Sequence, residues 1–139
     1  MAPTEHNRRV IEEFRANGGR VGGYYEGRSL VILHTIGAKS GIERENPLMA
    51  LPDGDALVVF ASQGGAPTHP DWYRNLRANP DVTVEFQGET FPARATVVDG
   101  PERERLYARI IETAPVFATY RERTAGIREI PVVALQRDG

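Results

Sequence analysis

Residues 56–80 constrain this chain more than any other stretch. The run ALVVFA at 56–61 is short, apolar and partly β-branched, the pattern of a buried strand. It stops at Ser62, and Gly64, Gly65, Pro67 and Pro70 then take the backbone out of regular structure. Thr68 stands three residues before Asp71, a helix-start signal of the capping-box type. A short helix follows over 70–78, closed by Asn79 and Pro80. A glycine pair lets a ligand approach the main chain, and the N–H groups of a new helix suit an anion. Trp72 and Tyr73 would add aromatic surface, and Arg74 and Arg77 charge. The plainer reading is a surface connection with the tryptophan anchored in the core.

Around this stretch the chain alternates short strands with turns. Residues 30–36 (LVILHTI) form the first strand, and 43–51 run back, with Pro47 implying an edge or a bulge. A Pro-Asp-Gly-Asp turn at 52–55 leads into 56–61. Residues 81–86 alternate, Gln87-Gly88 reverses the chain tightly into 89–98, and 130–136 form the last strand. Thr4 caps a first helix to about Asn17, with Val10, Ile11 and Phe14 on one face. Residues 18–29 are glycine-rich, carry Tyr24 and Tyr25, and are expected to form a flexible approach or lid. A helix from Asp99 to Thr113 buries Leu106, Tyr107, Ile110 and Ile111, and 116–123 form another. These elements predict one domain over 1–139, mainly β with flanking helices (α+β), built as a six-stranded antiparallel barrel. Residues 1–25 are its N-terminal helix and glycine-rich segment.

The bulk chemistry excludes several function classes. The formal charge of −2 over 139 residues gives no reason to expect nucleic acid. Absence of cysteine rules out disulfides and thiolate chemistry, and no apolar run is long enough to span a membrane. The first residues lack the apolar segment of a signal peptide, so a cytoplasmic location is expected. The first helix either packs on the body or touches a membrane surface, and packing is the expected outcome with three apolar residues. His6, His34 and His69 lack paired metal-ligand spacing, so no metal is expected, and His34 is expected to be a hydrogen-bonded core or rim residue. GAKSG at 37–41 lacks the glycines of a P-loop, and no serine lies in a G-x-S-x-G elbow. The missing catalytic dyad fits a binding protein, or an enzyme whose reactive atom belongs to a cofactor.

A second loop makes the cofactor reading specific. In GAKSGIER, Lys39, Ser40 and Arg44 surround a glycine-bounded turn between two strands. Cations, a hydroxyl and exposed N–H groups suit phosphate, although a solvated basic hairpin would look the same. Both loops begin where apolar strands end, so they are expected to flank one groove. With Trp72 at its edge, such a groove suits a flat ring with an anionic tail.

These residues also carry a resemblance. Gly37, Lys39-Ser40-Gly41, Arg44, Pro47-Leu48, Asp53-Gly54-Asp55, Ala61-Ser62, Gly64-Gly65, Pro70, Trp72-Tyr73, Asn75-Leu76 and Ala78-Asn79-Pro80 fall in register with one family's linked motifs. The stretch resembles the deazaflavin-dependent nitroreductase family of the flavin/deazaflavin split-barrel oxidoreductases, closely over residues 34–88.

The resemblance implies a six-stranded split β-barrel binding coenzyme F420, a deazaflavin with a phosphate and an oligoglutamate tail. Lys39, Ser40 and Arg44, beside Ala38, would hold the phosphate. Glu45, Asn46, Pro47, Leu48 and Met49 would run beside the ring. Phe60, Ala61, Ser62 and Gln63 would contact the cofactor, and Asp71, Trp72, Tyr73, Arg74 and Asn75 would close the other side. Met49, Ala114, Phe117 and Tyr120 would line the substrate pocket. Ala38 replaces a frequent arginine and Gln63 a frequent lysine, so Arg74 or Arg77 would supply missing tail contacts. Met49 and Ala114 replace frequent tyrosines, which predicts poor nitroimidazole reduction and a more open pocket.

The expected activity is hydride transfer from the reduced cofactor to an electron-poor small molecule. Its candidates are quinones, or the activated C=C of α,β-unsaturated esters and lactones such as coumarins, furanocoumarins and aflatoxins. Ser62, Tyr120 or water would supply the proton. An FMN-dependent split-barrel reductase and a non-catalytic lipid- or deazaflavin-binding barrel are the alternatives. A monomer or weak homodimer is expected.

Overall fold

The computed structural model describes residues 5–25 and 27–138, apart from the side chain of Tyr24. The expected cap at Thr4 and the Tyr24 side chain therefore lie outside the described residues. Helix α1 (Glu5–Ala16) precedes strands β1 (Leu30–Ile36), β2 (Glu43–Asp53) and β3 (Ala56–Phe60). Helix α2 (Asp71–Ala78) leads to the hairpin of β4 (Asp81–Phe86) and β5 (Glu89–Val98). Helices α3 (Gly100–Thr113) and α4 (Val116–Thr124) then return the chain to β6 (Val132–Arg137). The strands close into an antiparallel barrel in the order β1-β2-β3-β6-β5-β4, as the alternation of runs and turns predicts. The β4–β5 reversal uses left-handed backbone at Gln87 (φ 50) and Gly88 (φ 83).

The barrel is split between β2 and β3. All of Glu43–Met49 pairs with β1, whereas β3 takes up partners on β2 only from Ala50, opposite Val59, to Asp53, opposite Ala56. Pro47 lies opposite Ile32 within that singly paired segment, the edge position its missing N–H demands. β3 leaves the barrel at Phe60, one residue earlier than the apolar run suggests, and Ala61 N–H donates to Pro131 O at 2.9 Å.

Three apolar clusters hold the domain. Inside the barrel, Val31, Leu33, Val59, Val84 and Val133 are fully buried, and Trp72, Tyr73 and Leu76 of α2 join them. Outside it, Phe60, Leu106, Tyr107, Ile110 and Phe117 join β3 to α3 and α4. On the far side, Val10, Ile11 and Phe14 of α1 are buried with Leu30 and Ile32. Packing thus consumes the apolar face that a membrane contact by α1 would need. No described helix is long and apolar enough to cross a membrane.

Polar pairs fix the helices. Asp53 accepts from Arg105 at 3.0 Å and Arg109 at 2.8 Å, which pins α3 to the β2–β3 turn. The Arg105 hydrogen bond is the main reason that carboxyl is held below its usual range. The capping box expected at Thr68 does not form. Pro70 is the N-cap of α2, without a side-chain cap bond, and Thr68 accepts instead from Gln63 Nε2 at 3.4 Å.

Candidate active site

The cationic loop and α2 meet at one end of the barrel. Gly37 N–H donates to Ile42 O at 2.8 Å, and Gly41 N–H donates to Gly37 O at 2.9 Å, closing a tight hairpin. A Cβ at Gly37 would lie 2.4 Å from Ser40 Oγ and 3.2 Å from Ile42 O, so a side chain there would displace the Ser40 hydroxyl. Ser40 Oγ accepts from Ile42 N–H at 3.1 Å, and Lys39 and Ser40 stand exposed at the tip. Asn75 of α2 joins the loop to the barrel: its Oδ1 accepts from Ala38 N–H at 3.0 Å, and its Nδ2 donates to Thr35 Oγ1 at 3.1 Å. Arg44 lies opposite Thr35 in register, at the same end. A buried amide thus ties α2, the helix that follows the glycine loop, to the cationic hairpin.

The split supplies a path away from the cations. From Arg44 to Met49, β2 runs about 17 Å with one edge outside the β3 ladder. Across the split lies the loop after β3, whose Gln63–Gly65 turn carries positive φ at all three residues. A Cβ at Gly65 would meet Arg123 Cδ at 3.0 Å and Tyr120 Cα at 3.4 Å, so the loop seats directly on α4. Side chains of the path divide between faces. Leu48 packs on the barrel interior, Met49 on the outer cluster, and Glu45 turns toward α1 to pair with Arg15 at 2.7 Å.

The expected substrate residues fall in one place. Met49, Ala114, Phe117 and Tyr120 all belong to the outer cluster, together with Phe60, expected as a cofactor contact. Phe117 packs edge-on to Phe60 and Tyr120, with ring centroids 5.6 and 5.3 Å apart. Met49 and Tyr120 are half-buried, whereas Ala114 has no exposed surface. The Tyr107 hydroxyl donates to Phe117 O at 2.9 Å, and burial pushes that phenol up.

Several expectations change. Trp72 and Tyr73 do not form aromatic surface: only 5% and 7% of their area is exposed, inside the main core. The helical period of α2 puts Asp71 and Arg74, three apart, outward and paired with each other, while Asn75 points to the hairpin. Ser62 is buried, and Gln63, in place of the expected lysine, closes its own loop by donating to Thr68 O at 3.3 Å. A cavity of about 1160 Å³ lies elsewhere, lined by Glu13, residues 17–22, Tyr25, residues 27–30 and Phe86.

Other residues gave no local signal in the sequence. Thr35 and Arg128 make their contacts across gaps of 40 residues and more. His34 sits where expected, on the rim, with Nε2 2.6 Å from Glu85 and Nδ1 3.1 Å from Glu43. His34, Glu45 and Glu85 lie close enough to share a cation, but Arg15 hydrogen-bonds both Glu45 and Glu85 at 2.7 Å. The Arg15 hydrogen bond is the main cause holding the Glu85 carboxyl below its usual range.

The pattern of the F420H(2)-dependent quinone reductase family matches residues 6–137. The F420H(2)-dependent quinone reductase Rv1261c of Mycobacterium tuberculosis is 39% identical over 128 residues, covering 89% of this chain and 85% of that protein. A solved F420-H2 dependent reductase, FDR-A, superposes with a TM-score of 0.70 at 38% identity over 77% of this chain and 93% of its own. A domain-swapped dimer superposes at 0.72 with 35% identity, covering 93% and 92%. A family match over residues 6–137, a relative 39% identical over 89% of the chain and a shared barrel fold make the chain an oxidoreductase that belongs to the F420H(2)-dependent quinone reductase family.

Proposed function

We propose that this protein binds reduced coenzyme F420 along the split and passes its hydride to a quinone. One observation carries the reading. The β2 edge links a cationic hairpin at one end to an aromatic cluster at the other, over about 17 Å. An elongated molecule with an anionic tail and a flat ring matches that polarity. Lys39, Ser40 and Arg44 would hold the phosphate by charge-assisted hydrogen bonds. The backbone of Asn46–Met49 and of 60–65 would face the ring from the two sides of the split. Gly64, where a Cβ would meet nothing within 4 Å, leaves that approach free of a side chain, while Gly65 lets the loop seat on α4. Bound there, the reduced cofactor supplies a hydride.

The protein's own work is orientation and exclusion of water. Phe60, Phe117, Tyr120 and the flexible thioether of Met49 would seat the acceptor ring. A quinone that gains a hydride becomes a hydroquinone anion and takes one proton, which Tyr120 or Ser62 would donate or relay. The slim, adaptable wall at Met49 also favours activated C=C acceptors, the coumarin-, furanocoumarin- and aflatoxin-like lactones, as secondary substrates.

Oxidation of the reduced cofactor, followed by the return of its absorbance on addition of menadione, tests the proposal. Turnover that needs the protein supports it. Binding of the reduced cofactor with no oxidation by any quinone would leave the non-catalytic reading in its place.

A further inference from the structure

Arg128 lies in the connection between α4 and β6, outside every segment assigned to the site above. Its half-buried guanidinium reaches back across more than fifty residues of sequence. Nε donates to Ala66 O at 3.0 Å, Nη1 to Ala61 O at 3.0 Å and Nη2 to Ser62 O at 2.8 Å. Nη1 also stands 3.0 Å from His69 Nδ1. These acceptors bracket the loop that walls the split. That loop has little regular structure, and Gln63, a non-glycine residue at φ 46, carries backbone strain that the surrounding contacts must hold. No carboxylate is among the guanidinium's described partners. Placing a half-buried cation on main-chain carbonyls with no carboxylate carries a desolvation cost, and a planar fork satisfies three directions that an ammonium cannot.

We propose that Arg128 is the positioning residue of the cofactor loop, and that His69 is the titratable arm of its grip. The proposal rests on the reading of residues 60–65 as a cofactor wall. A guanidinium cannot accept a hydrogen bond, so His69 Nδ1 must accept and the imidazole must be neutral with its proton on Nε2. Protonation of Nδ1 removes that acceptor and sets two cations against each other. Among the described residues, the charged groups acting on His69 are all cations: Arg128 from the α4–β6 connection, and Arg74 and Arg77 from α2. Tyr73 of α2 meets the imidazole edge-on, with ring centroids 5.0 Å apart. Burial first, and these three cations after it, hold the imidazole below its ordinary 6.5. The grip is therefore complete at neutral pH and loosens as acid reaches that lowered value.

Two variants and two readouts test this. Arg128→Lys keeps the charge and loses the fork; His69→Asn keeps an acceptor near the Nδ1 position and cannot titrate. Amide hydrogen exchange on the cofactor-free protein reports the loop directly. Arg128→Lys is expected to speed exchange in the 61–66 segment at least tenfold while Val31 and Val59 stay protected, and to raise the F420 Kd about tenfold. The wild-type Kd is expected to rise as pH falls from 7 to 5, and His69→Asn to flatten that rise. Unchanged loop exchange in Arg128→Lys would overturn the positioning role. An equal pH response in wild type and His69→Asn would overturn the titratable arm. Faster loop exchange with unchanged F420 affinity would leave the clamp standing and remove the cofactor-wall reading instead.

Discussion

The barrel interior and the cluster outside its split are equally apolar and are finished differently. The interior is mostly aliphatic and sealed: Val31, Leu33, Val59, Val84 and Val133 have no exposed area, and Trp72 and Leu76 close one end. The outer cluster is aromatic and partly open, with Phe60, Tyr107, Phe117 and Tyr120 in edge-to-face contacts and Met49, Ile111 and Tyr120 half-exposed. A sealed cluster gives stability through close packing, where any missing volume is felt. An open one, beside a strand edge and a glycine loop, leaves surface for a ligand. The proposed site predicts that loss of a sealed residue destabilises the protein, whereas loss of the half-exposed Met49 or Tyr120 changes what it binds.

Trp72→Ala should break the sealed side most severely. Removing a buried indole leaves a cavity and is expected to cost roughly 3–5 kcal/mol in urea denaturation. A loss under about 1 kcal/mol would mean that Trp72 is not part of the core. Between the clusters, Lys39→Ala with Arg44→Ala should leave the denaturation midpoint nearly unchanged. The same double variant should raise the F420 Kd at least tenfold, since a hydrogen bond to a charged group is worth about 1.5–3 kcal/mol. Equal affinity in the variant would remove the phosphate assignment.

On the open side, Tyr120→Ala should change quinone KM by roughly two- to tenfold, the scale of one aromatic contact, with little change in stability. A stability loss matching that of Trp72→Ala would show the outer cluster to be core as well. Arg15→Ala, remote from both clusters, provides the smallest expected effect, about 0–1 kcal/mol for a partly exposed ion pair. Its sign with pH is fixed. Glu85 titrates below its ordinary 4.5 in the folded state, so the pair stabilises the fold above that value. The wild-type advantage over Arg15→Ala should shrink as pH falls further.

Much of the fold was legible because its signals are local. Apolar runs and Gly or Pro punctuation placed all six strands within about two residues, and Pro47 marked the edge that became the split. The cationic hairpin was legible for the same reason: Gly37, Lys39, Ser40 and Gly41 act through neighbours in sequence. Trp72 misled because aromatic surface and aromatic core look alike until a helix has a face to bury. Arg128 and Thr35 were invisible because their partners arrive only when β3 closes against β6 and α2 docks on β1. Thr68 carries a capping spacing, but Gln63 competes for its oxygen and Pro70 takes the N-cap.

The central claim is that the split is a deazaflavin site, and equilibrium titration tests it most directly. Trp72 is the only tryptophan and belongs to the helix that anchors the cationic loop, so energy transfer to a bound deazaflavin reports occupancy even from the core. Titration with F420 should quench it with a Kd that is micromolar or tighter, and FMN should bind at least tenfold more weakly. Preference for FMN, or binding of neither, would contradict the account.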